Sequence, residues 1–159
     1  GYIAVEFAGI LSGLGVETTL MYRGERFLRG FDDDIRRFAE QEMSKKGVNL
    51  VFRTNIDAVA PCDGGYRLTL DTGGTMETGL VMAATGRRPL VDGLGLAEVG
   101  VLLDDSGHIQ VDDHFQTSVP SITALGDVIG TPQLTPVAIA QAMVLSRRLF
   151  GDGQGTMDY

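Results

Sequence analysis

Cysteine is nearly absent from this 159-residue chain: Cys62 stands alone. One thiol excludes an internal disulfide, a dithiol redox pair and a cysteine-built zinc site within these residues. Histidine is scarce as well. His108 and His114 lie far from Cys62 with no ligand spacing between them, so no metal site is expected. Basic charge is in deficit, with 13 lysines and arginines against 21 acids and a net charge of −8. That balance argues against a general affinity for nucleic acid or anionic membrane. No apolar run reaches transmembrane length, and residue 1 opens no secretory leader pattern. With a single thiol, the expectation is a cytoplasmic protein.

Glycine is abundant, 22 residues set at discrete turns, and apolar side chains make up 43%. This suits one compact domain or pieces of two. The chain opens on "GYIAVEFAGI", already in a glycine turn and a helix with no strand before it. The expectation is a segment of a longer protein that lacks the first strand of its sheet.

"GYIAVEFAGILSGLG" has Ile3, Phe7, Ile10, Leu11 and Leu14 at helical spacing, small Ala4 and Ala8 on one face, and Gly15 as a stop. "TTLMY" predicts a strand. "FDDDIRRFAEQEMSKKGV" predicts a second helix, with acids in its first turn, lysines in its last and Gly47 after it. "VNLVFR" is the next strand. Three strand-like runs follow, "IDAVAP", "YRLTLDT" and "METGLVMAAT", broken by "CDGG" and "TGG" as in an antiparallel meander. Parallel-sheet strands are expected near 18–22, 48–53 and 81–84. Short strands are expected near 101–103, 108–112 and 121–125. The helix of "TPVAIAQAMVLSRRLFG" is apolar nearly all round to Leu145, so it should be largely buried. The fold class is α/β: a Rossmann-like nucleotide-binding domain with a parallel sheet and a meander over 1–89, part of a neighbouring domain over 90–150, and a linker over 151–159.

Gly1 and Ala4 are spaced as the second glycine and last small residue of a dinucleotide-binding fingerprint. There a pyrophosphate would meet the open N–H groups of the helix start. A glycine that merely precedes a helix gives the same pattern. The end of the second strand normally presents an acid to the adenosine ribose. Here Tyr22 stands at that point, and "YRGERFLRG" places Arg23, Arg26 and Arg29 after it. An acid would repel a 2′-phosphate, whereas arginine matches it with forked donors and permanent charge. Arg23 and Arg29 are therefore read as selecting NADPH, with Arg26 set aside. The alternative is a solvated basic loop pairing with Asp32, Asp33 and Asp34. In "ALGD", Asp127 at the end of an apolar run can face a flavin ribityl hydroxyl, or be an ordinary turn acid.

"GYIAVEFAGILSGLG", "YRGERFLRGFD", "ATGRRP", "SVPSITALGDV" and "QLTPVAI" occur in unbroken order over essentially the whole chain. Together they resemble the middle of the FAD-containing pyridine nucleotide–disulfide oxidoreductases, and within them the glutathione reductase branch. Trypanothione reductases are similar but usually carry extra residues where "LSGLGVETTL" has none. Dihydrolipoamide dehydrogenases normally keep the acid at the Tyr22 position. Mercuric reductase, or a module that only binds dinucleotides, are further alternatives.

The resemblance implies an enzyme using NADPH and FAD to reduce glutathione disulfide, homodimeric when complete. It implies that Gly1 and Ala4 belong to the NADPH fingerprint and that Arg23 and Arg29 hold the 2′-phosphate. Tyr2 would cover the flavin face, and Glu6 would pair with a lysine near the flavin. Gly86 and Arg87 would lie at the return to the FAD domain, Asp127 would bind FAD, and Thr135 would contact the flavin through its backbone. It also implies that the redox disulfide and the catalytic His–Glu pair belong to other segments of the parent protein. Surface or turn roles remain the alternatives for Tyr2, Glu6 and Arg87.

Overall fold

The computed structural model describes residues 1–151 and 153–159, and the chain divides into two units, Gly1–Gly86 and Arg87–Tyr159. In the first unit the order is α1 (Tyr2–Gly13), β1 (Thr19–Tyr22), α2 (Asp33–Lys45), β2 (Asn49–Phe52), β3 (Ile56–Cys62), β4 (Gly65–Leu70) and β5 (Thr75–Thr78).

Local chemistry sets the ends of both helices. Asp32 caps α2, its carboxylate accepting from the backbone N–H groups of Asp34 and Ile35. Both helices stop at a glycine in the left-handed region, Gly15 at φ 85° and Gly47 at φ 88°. In each case the N–H of the next residue reaches back into the last turn: Val16 to Leu11 O, and Val48 to Met43 O. This satisfies carbonyls that the helix leaves open, in a conformation that a side chain would resist.

β1 and β2 pair in parallel, Leu20 opposite Leu50 and Tyr22 opposite Phe52. The core beneath them is Ala8, Leu20, Phe27 and Val48, with Ala4, Val5, Ala39 and Met43 packed against it. The small face of α1 is the one that packs, because alanines let the helix approach the strand. Phe7, Ile10 and Leu14, though at helical spacing, are exposed. β3, β4 and β5 form a separate antiparallel sheet, with Asp63 and Gly64 turning between β3 and β4.

The expected parallel strand at 81–84 does not form: the parallel sheet is β1–β2 alone, and the third meander strand ends at Thr78. A strand is a property of a pair, and the apolar run around Met82 has no described neighbour to bond.

The second unit holds α3 (Leu96–Val99), a 3-10 turn (Gly126–Ile129) and α4 (Thr135–Phe150). The expected strands there reduce to two isolated bridges, Leu103 with Ile109 and Gln116 with Thr123. Side chains do the joining instead. The Asp104 carboxylate accepts from Ser106 N and His108 N, and that of Asp112 from His114 N and Gln116 N. α4 is not largely buried: Gln141 and Leu145 are, while Ile139, Met143 and Leu149 are exposed. It packs one face on the 3-10 turn, so apolar composition around its circumference overstates its burial.

Candidate functional site

In the first unit the chain leaves β1 at Tyr22 and turns through Arg23–Gly30. Phe27 anchors this loop. It is 1% exposed, its ring lies 5.8 Å from that of Phe52, and such burial stabilises by about 1.5–3 kcal/mol. The loop's start is tied to the segment after β2, by Arg53 N to Gly24 O at 3.0 Å and Thr54 N to Tyr22 O at 3.3 Å. A Cβ on Gly24 would lie 2.7 Å from Cε1 of Tyr22, so the tyrosine ring occupies the space that any side chain there would need. Leu28 takes the left-handed region at φ 57°, an arrangement that its surroundings must hold.

The charges around this loop divide sharply. Five of the first unit's seven arginines have an acid partner: Arg26 with Glu40, Arg36 with Asp33, Arg37 with Asp34, Arg53 with Glu25 and Arg67 with Glu77. Arg23 and Arg29 are exposed and have no hydrogen bond or ion pair among the described residues. Asp32, Asp33 and Asp34 do not pair with them, because Asp32 caps α2 and the other two hold Arg36 and Arg37. The loop therefore presents two uncompensated positive charges six residues apart in sequence.

α1 starts directly after Gly1 with no side-chain cap, which leaves its first N–H groups open. A Cβ on Gly1 would meet nothing within 4 Å. Ala4 packs against the core, while Tyr2 and Glu6, four residues apart, share a flank of α1 and are exposed. Glu6 has no partner among the described residues. Gly86 closes the first unit at φ 143°.

In the second unit Asp127 lies within the 3-10 turn. Its Oδ2 accepts from Arg87 Nη2 at 2.7 Å, and its Oδ1 has no described partner. Both side chains are part exposed. The turn is fixed from α4: Gln141, fully buried, accepts from Gly126 N at 2.7 Å and donates to Thr131 Oγ1 and Tyr159 Oη. Thr135 begins α4, which has Pro136 in its first turn and no side-chain cap. Away from these residues, the N–H of His108 lowers the Asp104 carboxyl below its ordinary value, and the N–H of Gln116 does the same for Asp112.

The structure thus brings Arg87 and Asp127 together, and sets Arg23 and Arg29 on one anchored loop. It also shows two residues that sequence reasoning passed over. Arg36, given no role in the sequence reading, bonds the arginine loop, and Gln141 holds the turn of Asp127. A lone amide in an otherwise apolar helix was the available signal for Gln141; nothing in the pattern around Arg36 marked it.

The family model described as pyridine nucleotide-disulphide oxidoreductase matches residues 1–142. The chain is 46% identical to a glutathione reductase of Burkholderia cepacia over 151 residues, 95% of this chain and 34% of that protein. It is 38% identical to a trypanothione reductase of Trypanosoma congolense over 163 residues, 100% of this chain and 33% of that protein. The chain therefore spans about a third of the length of these curated relatives. Among solved structures, an engineered water-forming NADPH oxidase bound to NADPH matches with a TM-score of 0.86 at 27% identity, over 98% of this chain and 36% of that one. The oxidase carries an alanine in place of a glycine and, eighteen residues on, an alanine in place of an aspartate. An arginine is introduced at the next position and another six residues further. Among the described residues, no helix of this chain is long and apolar enough to cross a membrane.

Proposed function

This chain belongs to the pyridine nucleotide-disulphide oxidoreductase family, and on that premise we propose that it carries the NADPH-binding unit and an FAD-binding segment of a glutathione-disulfide reductase. The observation that carries this reading is the pair Arg23 and Arg29, the two arginines of the first unit with no described acid partner, which follow Tyr22 where an NAD site would present an acid. The NADPH oxidase supports it independently. Four of its five exchanged positions have the same intervals as Ala4, Tyr22, Arg23 and Arg29.

The residues present fit both cofactors. Gly1 and the open start of α1 receive a pyrophosphate, with Ala4 keeping the helix close on its strand. Arg23 and Arg29 bind the 2′-phosphate and exclude no part of it by an acid. Asp127, with Oδ2 on Arg87 and no partner at Oδ1 among the described residues, accepts from a ribityl hydroxyl, and the uncapped start of α4 at Thr135 offers N–H groups to the electron-rich edge of the ring. Tyr2 and Glu6, exposed on one flank of α1, keep the roles that the family resemblance implies, an aromatic cover and an acid that pairs with a cation. Gly86 and Arg87 carry the chain from one nucleotide unit to the other, with the units assigned to 1–89 and 90–150 and a linker over 151–159. When bound, the cofactors supply hydride transfer from NADPH to FAD and onward to a disulfide. The whole enzyme is read as a cytoplasmic homodimer with glutathione disulfide as substrate.

The test is the full-length protein purified and assayed for bound flavin and for NADPH oxidation driven by glutathione disulfide. Flavin absorption with NADPH-dependent reduction of glutathione disulfide is the expected result. Reduction of trypanothione disulfide alone would overturn the substrate, and a preference for NADH would overturn the role of the arginines.

A further inference from the structure

Arg36 closes the first turn of α2, but its guanidinium turns back onto the loop before the helix. Nε donates to the carbonyl oxygen of Phe27 at 2.9 Å, and Nη2 donates to that of Arg26 at 2.7 Å. Nη1 reaches Asp33 Oδ1 at 2.7 Å, which balances the charge. One side chain thus clamps two consecutive carbonyls midway between Arg23 and Arg29. Arg26 Nε adds a second tie to the same helix one turn on, at Glu40. From the other side, the buried Phe27 pins the loop to the core. The clamped segment continues into Leu28, whose left-handed backbone would relax if it were released.

We propose that Arg36 is a positioning residue that holds the loop so that Arg23 and Arg29 close on a single phosphomonoester, the adenosine 2′-phosphate. This rests on the proposed NADPH reading of those two arginines. Arg36 does not touch the phosphate. It raises the fraction of molecules whose loop is competent to bind, and apparent affinity scales with that fraction. Lysine cannot substitute, because a point donor does not span two carbonyls and a carboxylate as the planar fork does.

The test is calorimetric binding to the full-length protein of two probes, adenosine 2′,5′-bisphosphate and adenosine 5′-monophosphate. The quantity read is the ratio of their affinities. Arg23→Gln with Arg29→Gln should erase the preference for the bisphosphate. Arg36→Met should lower that preference about tenfold while leaving the monophosphate unchanged. Arg36→Lys keeps the charge, the aliphatic stem and the Asp33 pair, so it folds even where Arg36→Met does not, and it should lose the preference to a similar degree. A wild-type ratio in Arg36→Lys, or equal weakening of both probes, overturns the role of Arg36. If the ratio survives in the double arginine variant, the NADPH reading itself fails, and the inference falls with it.

Discussion

Gln141→Leu should loosen the turn that carries Asp127 without altering the charge of the site. Gln141 is 0% exposed and uses both ends of its amide. Oε1 accepts from Gly126 N at 2.7 Å, and Nε2 donates to Thr131 Oγ1 at 2.9 Å and to Tyr159 Oη at 2.8 Å. Leucine keeps the volume and loses all three bonds. Each is worth about 1 kcal/mol net, and the Gly126 N–H is left without its acceptor. Better apolar packing offsets part of this, so the local cost is about 2–3 kcal/mol. A chain of more than one unit need not unfold in one step, so the loss belongs in a local measurement. Hydrogen exchange at the Gly126 amide in the native full-length protein should accelerate about 30- to 150-fold. Thr131→Val, which leaves the Gly126 contact in place, should change it far less. Acceleration of less than about threefold in Gln141→Leu would show that the turn stands without the amide.

Gly24→Ala forces a Cβ to within 2.7 Å of the Tyr22 ring. Overpacking of this kind costs about 1–3 kcal/mol, so the variant should melt earlier and show a raised KM for NADPH; wild-type values in both would refute the contact. Asp127→Asn removes the charge that Arg87 pairs with and the proposed acceptor for the ribityl hydroxyl. It should lower the flavin-to-protein absorbance ratio of the purified enzyme, and an unchanged ratio would return Asp127 to an ordinary turn role. The carboxyls of Asp104 and Asp112 are held below their ordinary value by backbone N–H donors, chiefly those of His108 and Gln116. A lowered folded pKa gives stability that is complete above the unfolded aspartate value of about 3.9 and is lost as pH falls through the folded value. Exchange protection of the Ser106, His108, His114 and Gln116 amides should therefore hold to about pH 4 and fail below it. Loss well above pH 4 would show that these carboxylates do not carry the protection.

α1, α2 and α4 were legible because their signals are local, whereas α3 and the 3-10 turn were not anticipated. The Asp32 cap and the glycines after α1 and α2 sit within a few residues of what they end. The Asp63–Gly64 turn is equally local. What failed depends on distant partners. Nothing in the run around Met82 reveals whether a neighbouring strand exists to pair with it. The apolar surface of α4 shows nothing of how much of it finds a partner. Arg26 pairs with Glu40 and not with Asp32, Asp33 or Asp34, and that partner, fourteen residues away, is visible only after folding. The clamp of Arg36 was hidden for the same reason: its acceptors are backbone carbonyls, which carry no sequence signal.

The proposed role of Arg23 and Arg29, which have no acid partner among the described residues, is to bind the 2′-phosphate of NADPH. It is tested most directly by kcat/KM for NADPH and NADH in the full-length enzyme and in its Arg23→Gln/Arg29→Gln variant. Neither arginine has a partner among the described residues, so the exchange breaks no described hydrogen bond or ion pair. A charge-assisted contact is worth about 1.5–3 kcal/mol, reduced to about 1–1.5 kcal/mol by exposure at this loop. Together they should cost NADPH about 30- to 150-fold in kcat/KM, while NADH changes by less than about twofold. A parallel fall for both cofactors would contradict the account, because the arginines would then be supporting the loop and not reading the phosphate.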